Sequence, residues 1–195
     1  MILVRSLNIR KALNLKLLLS IEIIYSFFPY FYKRYFIRWK SVPANELKYL
    51  QNNLPLGSIK KIVLIGGGAI PYTAIFLNKL INPEVCVIIE NNRICSLAAA
   101  RLLKKLNLMN LKVVNMNGEH YSAYDNSLVI VSLQVKGKQK IVDKIVNEHG
   151  NSILIVRQPL KRGKHIFETA SLNGFKYATV KQKPDFESIV LAKQT

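Results

Sequence analysis

Residues 60–90 read KKIVLIGGGAIPYTAIFLNKLINPEVCVIIE, and this stretch decides the predicted fold. Ile62 to Ile65 form an uninterrupted apolar run, which is typical of a parallel strand buried on both faces. Gly66 to Gly68 then remove every side chain at the point where such a strand turns into its helix, so that a ligand can approach the backbone closely. A second apolar strand follows the helix and ends in Glu90. The stretch therefore predicts a strand, a glycine turn, a helix and a second strand.

The positions of the glycines and of Glu90 discriminate between cofactors. Glu90 follows Gly66 by 24 residues, close to the spacing at which a carboxylate accepts hydrogen bonds from a ribose. A dinucleotide fold favours a third glycine three positions after the second, where this chain has Pro71, and the Gly-Lys-Ser or Gly-Lys-Thr of a P-loop does not occur. S-adenosylmethionine, which carries a ribose but no pyrophosphate, is therefore the predicted ligand. The alternative is a tight turn that binds nothing.

Composition limits the class of protein. Half of the 195 residues are hydrophobic, which excludes a disordered chain. The net charge of +18 favours nucleic acid, an anionic membrane or an acidic small substrate as partner, although a general composition bias would produce the same excess. Cys86 and Cys95 have no metal-like spacing and are interpreted as buried residues of a reducing compartment, which predicts a cytoplasmic protein. The scattered histidines predict no metal site.

Residues 1–50 are predicted to form a basic helical arm, and residues 51–195 the S-adenosylmethionine-binding domain. Before residue 41, eight cations stand against the single acid Glu22. Because Glu22 interrupts the apolar stretch, neither a signal peptide nor a spanning helix is expected. Two interpretations stay open for the arm: a helix lying peripherally on an anionic membrane, or a helix whose apolar face covers the sheet domain.

The rest of the chain alternates strand and helix patterns. Strands are predicted at 111–114, 128–131 and 153–156, helices at 93–107, 141–146 and 163–171, and a closing antiparallel pair at 177–180 and 188–192. These units predict an α/β fold: a Rossmann-like doubly wound sheet with a C-terminal antiparallel strand, preceded by the short helical arm.

Ligands of such sheets lie outside the carboxyl ends of the strands. Besides the glycine turn and Glu90, three predicted site residues follow strands of this sheet: Gly118 and Glu119 after the third, and Ser132 after the fourth. A polar side chain at 117–119 would meet an adenine edge. This architecture, from Lys60 to the C-terminus, resembles that of class I S-adenosylmethionine-dependent methyltransferases.

Several phrases resemble a narrower family, the nicotianamine synthase-like proteins. IGGGAIPYTAIFL is similar to that family's glycine loop, in which a proline and a Thr or Ser follow the glycines, here Pro71 and Thr73. IIENN, LVIVSLQVKGKQKIV, ILIVRQPLKRG and FESIVLAKQ resemble its successive strand segments, and FPYFYKRY resembles a Phe-Pro-Tyr-Tyr stretch before its sheet domain. The family joins the aminobutanoyl part of S-adenosylmethionine to an amine, releases methylthioadenosine and makes a metal-chelating product.

The resemblance implies roles for individual residues. The cofactor loop would run from Gly66 through Ala69, and Glu90, with Asn91 beside it, would hold the ribose. Tyr30 or Tyr32 would be the catalytic-site tyrosine that orients the amine of a small amino-acid substrate.

Two further positions carry weaker expectations. Arg157 would pair with a substrate carboxylate, or it is a solvated arginine at the end of a strand. The family places a proton-accepting acid well upstream of its site tyrosine. In this chain Glu22 is the only acid before Tyr30 and lies close to it in sequence.

Two other functions remain open. A methyltransferase acting on a small molecule or on RNA would share the fold, but the turn after the fourth strand reads SLQV and lacks the Asn-Pro-Pro-Tyr phrase of many amino-methylating enzymes. A non-catalytic membrane-associated or scaffold protein that keeps the fold is the third possibility.

Overall fold

The structure is a computed structural model, and it describes most of the chain from residue 39 onwards and part of the chain before it. The described residues are 17, 19–28, 33–34, 37, 39–54, 59–148, 151–160, 164, 166–172, 174–182 and 186–191.

The centre of the molecule is one seven-stranded sheet with the strand order β3-β2-β1-β4-β5-β7-β6. Strands β1 to β5 are parallel, whereas β7 runs antiparallel to both β5 and β6. The strands are β1 Lys61–Ile65, β2 Val85–Glu90, β3 Leu111–Asn115, β4 Ser127–Val131, β5 Ile153–Pro159, β6 Ala178–Lys181 and β7 Phe186–Leu191.

Helices cover both faces of the sheet. They are α1 Ser41–Asn53, α2 Tyr72–Ile81, α3 Arg93–Lys105 and α4 Lys138–Glu148, and a 3-10 turn spans Gly118–His120. Successive side chains of a strand point to opposite faces. Ile62 and Leu64 of β1 accordingly lie in a core shared with α1, α2 and α3, while Val63 and Ile65 lie in a core shared with α4. Burial on both faces explains why β1 is apolar from Ile62 to Ile65.

The predicted fold class is confirmed: the sheet is doubly wound and ends in an antiparallel pair. The predicted helix at 163–171 is wrong for its described residues, 164 and 166–171, which form turns and irregular backbone. A side chain from β5 forms hydrogen bonds with the backbone of this segment: the Gln158 amide bonds to the carbonyl and to the N–H of Ala170, at 2.9 and 3.1 Å. Such bonds replace the helical ladder.

The described part of the arm contains a helical segment, residues 19–27, which is called the N-terminal segment below. Its Leu19 and Ile23 pack against Ala69, Cys95 and Ala98 of the sheet domain. The predicted division after residue 50 falls inside α1. In the parts of the chain that the structure describes, no helix combines the length and the apolar character needed to cross a membrane.

Candidate functional site

The glycine loop lies at the carboxyl end of β1, where the chain leaves the sheet for α2. Gly66 donates its N–H to the Ile89 carbonyl of β2 at 2.8 Å, which holds the loop against the neighbouring strand. Gly67 has no room for a side chain, because a Cβ there would collide with the buried Ile88. Gly68 has a φ of +65°, a conformation that a side chain disfavours. Glycine is therefore required at 67 and 68 for two different physical reasons.

Glu90 holds this loop from the end of β2. The carboxylate is 7 % exposed, and it accepts hydrogen bonds from the backbone N–H groups of Gly68 and Asn92, each at 2.8 Å. A carboxylate has about four lone-pair directions, so two remain for hydroxyl donors. Asn115, at the end of β3, donates to the Glu90 carbonyl at 2.8 Å. Glu90 is thus fixed in orientation before any ligand binds.

Asn92, which sequence reasoning passed over, caps the next helix. Its side chain accepts from the N–H groups of Ile94 and Cys95 at 3.0 and 3.2 Å. The signal that would have found it is an Asn immediately before an amphipathic helix pattern. Asn91, the predicted site residue, has an exposed side chain beside the loop-holding Glu90.

The N-terminal segment brings a second carboxylate to the loop. An oxygen of Glu22 lies 3.0 Å from the position that a Cβ of Gly68 would occupy, and among the residues that the structure describes no other side chain comes within 4 Å of that position. The pKa of the nearby Cys95 thiol is raised to about 12, first by burial and then by the charges of Glu90 and Glu22. Two carboxylates, those of Glu90 and Glu22, therefore lie beside Gly68.

Ser132, which follows β4, lies against Gly66 at the start of the glycine loop. Its N–H donates to the Ile65 carbonyl at 3.0 Å, so the chain leaving β4 continues the sheet bonding for one residue. A Cβ at Gly66 would lie 2.6 Å from Val135 and 3.2 Å from the Cβ of Ser132. The structure thus brings Gly66 to Gly68, Glu90 and Ser132 together, as the topology predicted.

A buried lysine anchors the turn that follows Ser132. Lys138 is 0 % exposed, and its ammonium donates to the carbonyls of Leu133, Arg157 and Glu168 at 3.1, 2.9 and 3.0 Å. Burial lowers the Lys138 pKa to about 8, opposed by the charge of Glu168. No sequence pattern singled out this residue.

Gly118 and Glu119, the two predicted site residues that follow β3, lie in different surroundings. Gly118 is buried, since a Cβ there would lie 2.6 Å from Ile65, and its carbonyl accepts from the Tyr124 hydroxyl at 3.0 Å. Glu119 instead reaches the start of α4, where its carboxylate is 3.6 Å from the Lys140 ammonium. The same carboxylate occupies the position that a Cβ of Gly137 would take. Gly118 therefore lies under the site as packing, and the charge of Glu119 is directed towards α4.

Arg157 is buried, whereas both predictions for it required an accessible side chain. The residue is 4 % exposed, and its guanidinium forms two bonds of 2.8 Å to the carboxylate of Glu46, a residue that is 0 % exposed. A third bond, of 3.1 Å, goes to the Thr73 hydroxyl at the start of α2. Ser188 donates to the same Glu46 carboxylate at 2.6 Å.

This ion pair joins three elements, β5, α1 and the first turn of α2, the helix that follows the glycine loop. Burial alone lowers the pKa of Arg157, but the charge of Glu46 and the interaction with Tyr72 outweigh burial, so the pKa is raised and the guanidinium stays charged. Both earlier interpretations of Arg157, a ligand for substrate and a solvated strand end, assumed an accessible side chain. Its observed role is to join β5 to α1 and to the first turn of α2.

Other predicted residues divide between those outside the described chain and those buried in it. Tyr30 and Tyr32, the predicted catalytic tyrosines, lie outside the described residues. Cys86 and Cys95 are both free and 0 % exposed, in agreement with their interpretation as buried residues. Within the described part of the chain, no group of three or more His, Cys, Asp or Glu side chains is arranged to hold a metal ion.

Several solved structures have an architecture similar to that of this chain. A Glu-to-Gln mutant of MtNAS, a nicotianamine synthase, superposes with a TM-score of 0.68 at 15 % identity, over 96 % of this chain and 76 % of that one. MtNAS in complex with MTA and tNA gives 0.67 at 16 % identity, over 94 % and 74 %. An S-adenosylmethionine-dependent methyltransferase from Aquifex aeolicus gives 0.57 at 14 % identity, over 77 % and 88 %.

These similarities establish that the chain has the class I methyltransferase fold. No protein-family model matches the sequence, and no curated protein matches it.

Proposed function

We propose that this protein is a transferase that uses S-adenosylmethionine and joins its aminobutanoyl part to the amine of a small amino-acid substrate. The products would be methylthioadenosine and an amino acid able to chelate metals, as in nicotianamine synthases. The observation that carries the proposal is the glycine loop flanked by two carboxylates, Glu90 from β2 and Glu22 from the N-terminal segment.

The negative charges of Glu90 and Glu22 beside the glycine loop favour S-adenosylmethionine over a dinucleotide as the ligand. A pyrophosphate bound at Gly68 would face both carboxylates at close range and would be repelled by them. A sulfonium carries the opposite charge and would be attracted. Gly68 carries no side chain, which allows a ligand to approach its backbone closely. The residues present therefore fit S-adenosylmethionine.

Each group at the site has a role in the proposed reaction. Bound S-adenosylmethionine would supply an electrophilic carbon next to a sulfonium, which is a good leaving group. Glu90 would hold the ribose hydroxyls through its two remaining acceptor directions, while Gly66 to Ala69 and Ser132 would enclose the adenosyl group. The protein then mainly orients the substrates and excludes water.

Glu22 would accept the proton of the attacking amine. A carbon–nitrogen bond forms, the carbon–sulfur bond breaks with its electron pair remaining on sulfur, and the amine proton passes to a base. Glu22 lies on the loop side of the N-terminal segment, within reach of the space above Gly68. Tyr30 or Tyr32 would orient the amine, and Arg157 would act only by fixing α1 and the start of α2.

The test is to identify the nucleoside released from labelled S-adenosylmethionine by mass spectrometry. The full chain is incubated with glutamate, with histidine, or with no added acceptor so that a second cofactor molecule serves. Methylthioadenosine above the level of a no-enzyme control is expected, and it should fall at least about 100-fold in Glu22→Gln, the range attributed to a general base. S-adenosylhomocysteine as the product would instead identify a methyltransferase. Neither nucleoside, together with no calorimetric heat on titration of folded protein with S-adenosylmethionine, would contradict both.

A further inference from the structure

Two neighbouring elements present large aliphatic and aromatic side chains to solvent. On the N-terminal segment and the residue after it, Ile24 is 54 % exposed and Phe28 is 53 % exposed. On α3, Ile94 and Leu97 are each 63 % exposed. Single exposed apolar residues are ordinary, but contiguous apolar patches mark interaction sites.

Direct contacts join the two elements into one surface. Ile23 packs against Cys95 and Ala98 of α3, which sets the two elements side by side. The Arg101 guanidinium lies 4.5 Å from the centre of the Phe27 ring, and the Lys105 ammonium donates to the Phe27 carbonyl at 3.1 Å. Residues three, four or seven apart share one side of a helix, so Ile94, Leu97 and Arg101 lie together on α3.

The charges on this surface are almost all positive. Its cations on α3 are Arg101, Lys104 and Lys105, and α3 contains no acid. Among the described residues 17–28 the only acid is Glu22, which is directed towards Gly68 on the loop side. The basic apolar surface is defined here as residues 24, 27, 28, 94, 97, 101, 104 and 105.

We propose that the basic apolar surface binds the anionic headgroups of a lipid bilayer and inserts its apolar side chains between them. Exposed apolar side chains next to cations on neighbouring surface elements match an interface of this kind. A second copy of the chain would bring like charges together. A nucleic acid would use the cations but would leave Ile24, Ile94 and Leu97 without partners. This inference does not depend on the proposed catalytic function.

The expected effects can be given as fold-changes in vesicle affinity. A cation near an anionic bilayer contributes about 1 kcal/mol, so Arg101→Gln with Lys104→Gln should weaken binding roughly 30-fold. Removing one inserted large apolar side chain removes about 1.5 kcal/mol, so Ile24→Ser with Leu97→Ser should weaken binding roughly 100-fold.

The experiment is flotation and titration of the full chain with vesicles of three parts phosphatidylcholine to one part phosphatidylglycerol. Vesicles of phosphatidylcholine alone test the charge requirement. A matched control carries Phe175→Ser, Lys176→Gln and Tyr177→Ser. These exposed residues precede β6 at the opposite edge of the sheet from β3, and the control should bind like the unaltered chain. Thermal unfolding of each variant verifies that it is folded.

Co-flotation with anionic but not neutral vesicles, reduced in both test variants and retained in the control, is the expected result. Binding that survives Ile24→Ser with Leu97→Ser would overturn the proposal, because the contact would then lie elsewhere in the chain. So would an absence of binding to anionic vesicles. Binding of single-stranded RNA that is lost in the charge variant but kept in the apolar variant, without vesicle binding, would assign the surface to nucleic acid.

Discussion

The substitution Glu90→Gln tests whether one carboxylate holds the glycine loop. In the structure both carboxylate oxygens accept a backbone N–H, one from Gly68 and one from Asn92. A glutamine offers one acceptor oxygen and one NH₂ donor. One of the two backbone N–H groups would therefore face another donor at a site that is 7 % exposed.

The size of the effect follows from these two hydrogen bonds. A hydrogen bond to a charged group contributes about 1.5–3 kcal/mol, and an unpaired buried donor costs about 1–3 kcal/mol. Glu90→Gln should therefore lower the free energy of unfolding by about 2–4 kcal/mol. For a chain of this length about 1 kcal/mol corresponds to about 2–4 °C, so the unfolding midpoint should fall by about 5–15 °C.

Glu84→Gln is the matched control, because it is the same chemical change at an exposed ion pair. The Glu84 carboxylate lies 3.1 Å from the Lys60 ammonium, and its side chain is 69 % exposed. Exposed pairs contribute about 0–1 kcal/mol, so its midpoint should move by less than about 4 °C. Thermal unfolding gives both midpoints, and calorimetry well below them gives the affinity for S-adenosylmethionine.

Affinity for S-adenosylmethionine should fall at least about tenfold in Glu90→Gln and stay unchanged in Glu84→Gln, since of these two residues it is Glu90 that contacts the loop and would bond the ribose. Equal midpoints in the two variants would refute the assignment of Glu90 as the group that orders the loop. A lowered midpoint with unchanged affinity would refute the ligand site and leave Glu90 with a packing role.

Two further predictions concern the loop and the segment that covers it. Gly68→Ala and Gly174→Ala both place a methyl group at positive φ and should each cost about 1–2 kcal/mol in unfolding free energy, but only Gly68→Ala should weaken S-adenosylmethionine binding in calorimetry; equal affinities would contradict the loop assignment. Burial raises the pKa of both thiols to about 12, so at pH 8 neither Cys86 nor Cys95 should react with iodoacetamide, and Ile23→Ala should expose Cys95 selectively. Equal rates for the two thiols, followed by mass spectrometry, would contradict the packing.

Much of the fold could be predicted because its signals are local. The apolar run of β1 and the three glycines after it occupy consecutive positions, and their physical demands do not depend on distant residues. The same holds for Glu90, which ends an apolar run. Ser132 and Gly118 could be placed near the loop only because parallel strands bring their carboxyl ends to one edge of the sheet.

The contacts that sequence reasoning missed are long-range and polar. Glu46 and Arg157 are separated by 111 residues, and no local pattern indicates that a charge on a strand end will be buried against a charge on a helix. The distance in sequence between Glu22 and the glycine loop gave no sign that the two meet, because the contact of Glu22 with Gly68 depends on how the N-terminal segment packs. The irregular backbone at 166–171 likewise depends on the Gln158 side chain, which one-dimensional patterns do not contain.

The two N-terminal elements are held by interactions of different strength, and this difference bears on ligand entry. Removing one partner of a buried ion pair such as Glu46–Arg157 costs about 3–5 kcal/mol, so α1 should remain fixed on the sheet. The N-terminal segment packs against the sheet domain through Leu19 and Ile23, which are only partly buried, and through the contacts of Phe27 with Arg101 and Lys105 near the protein surface. Regions with few buried apolar contacts open at the lowest free energy. Because Glu22 lies on this segment above Gly68, movement of the segment rather than of α1 would admit a ligand to the loop and then return Glu22 to it.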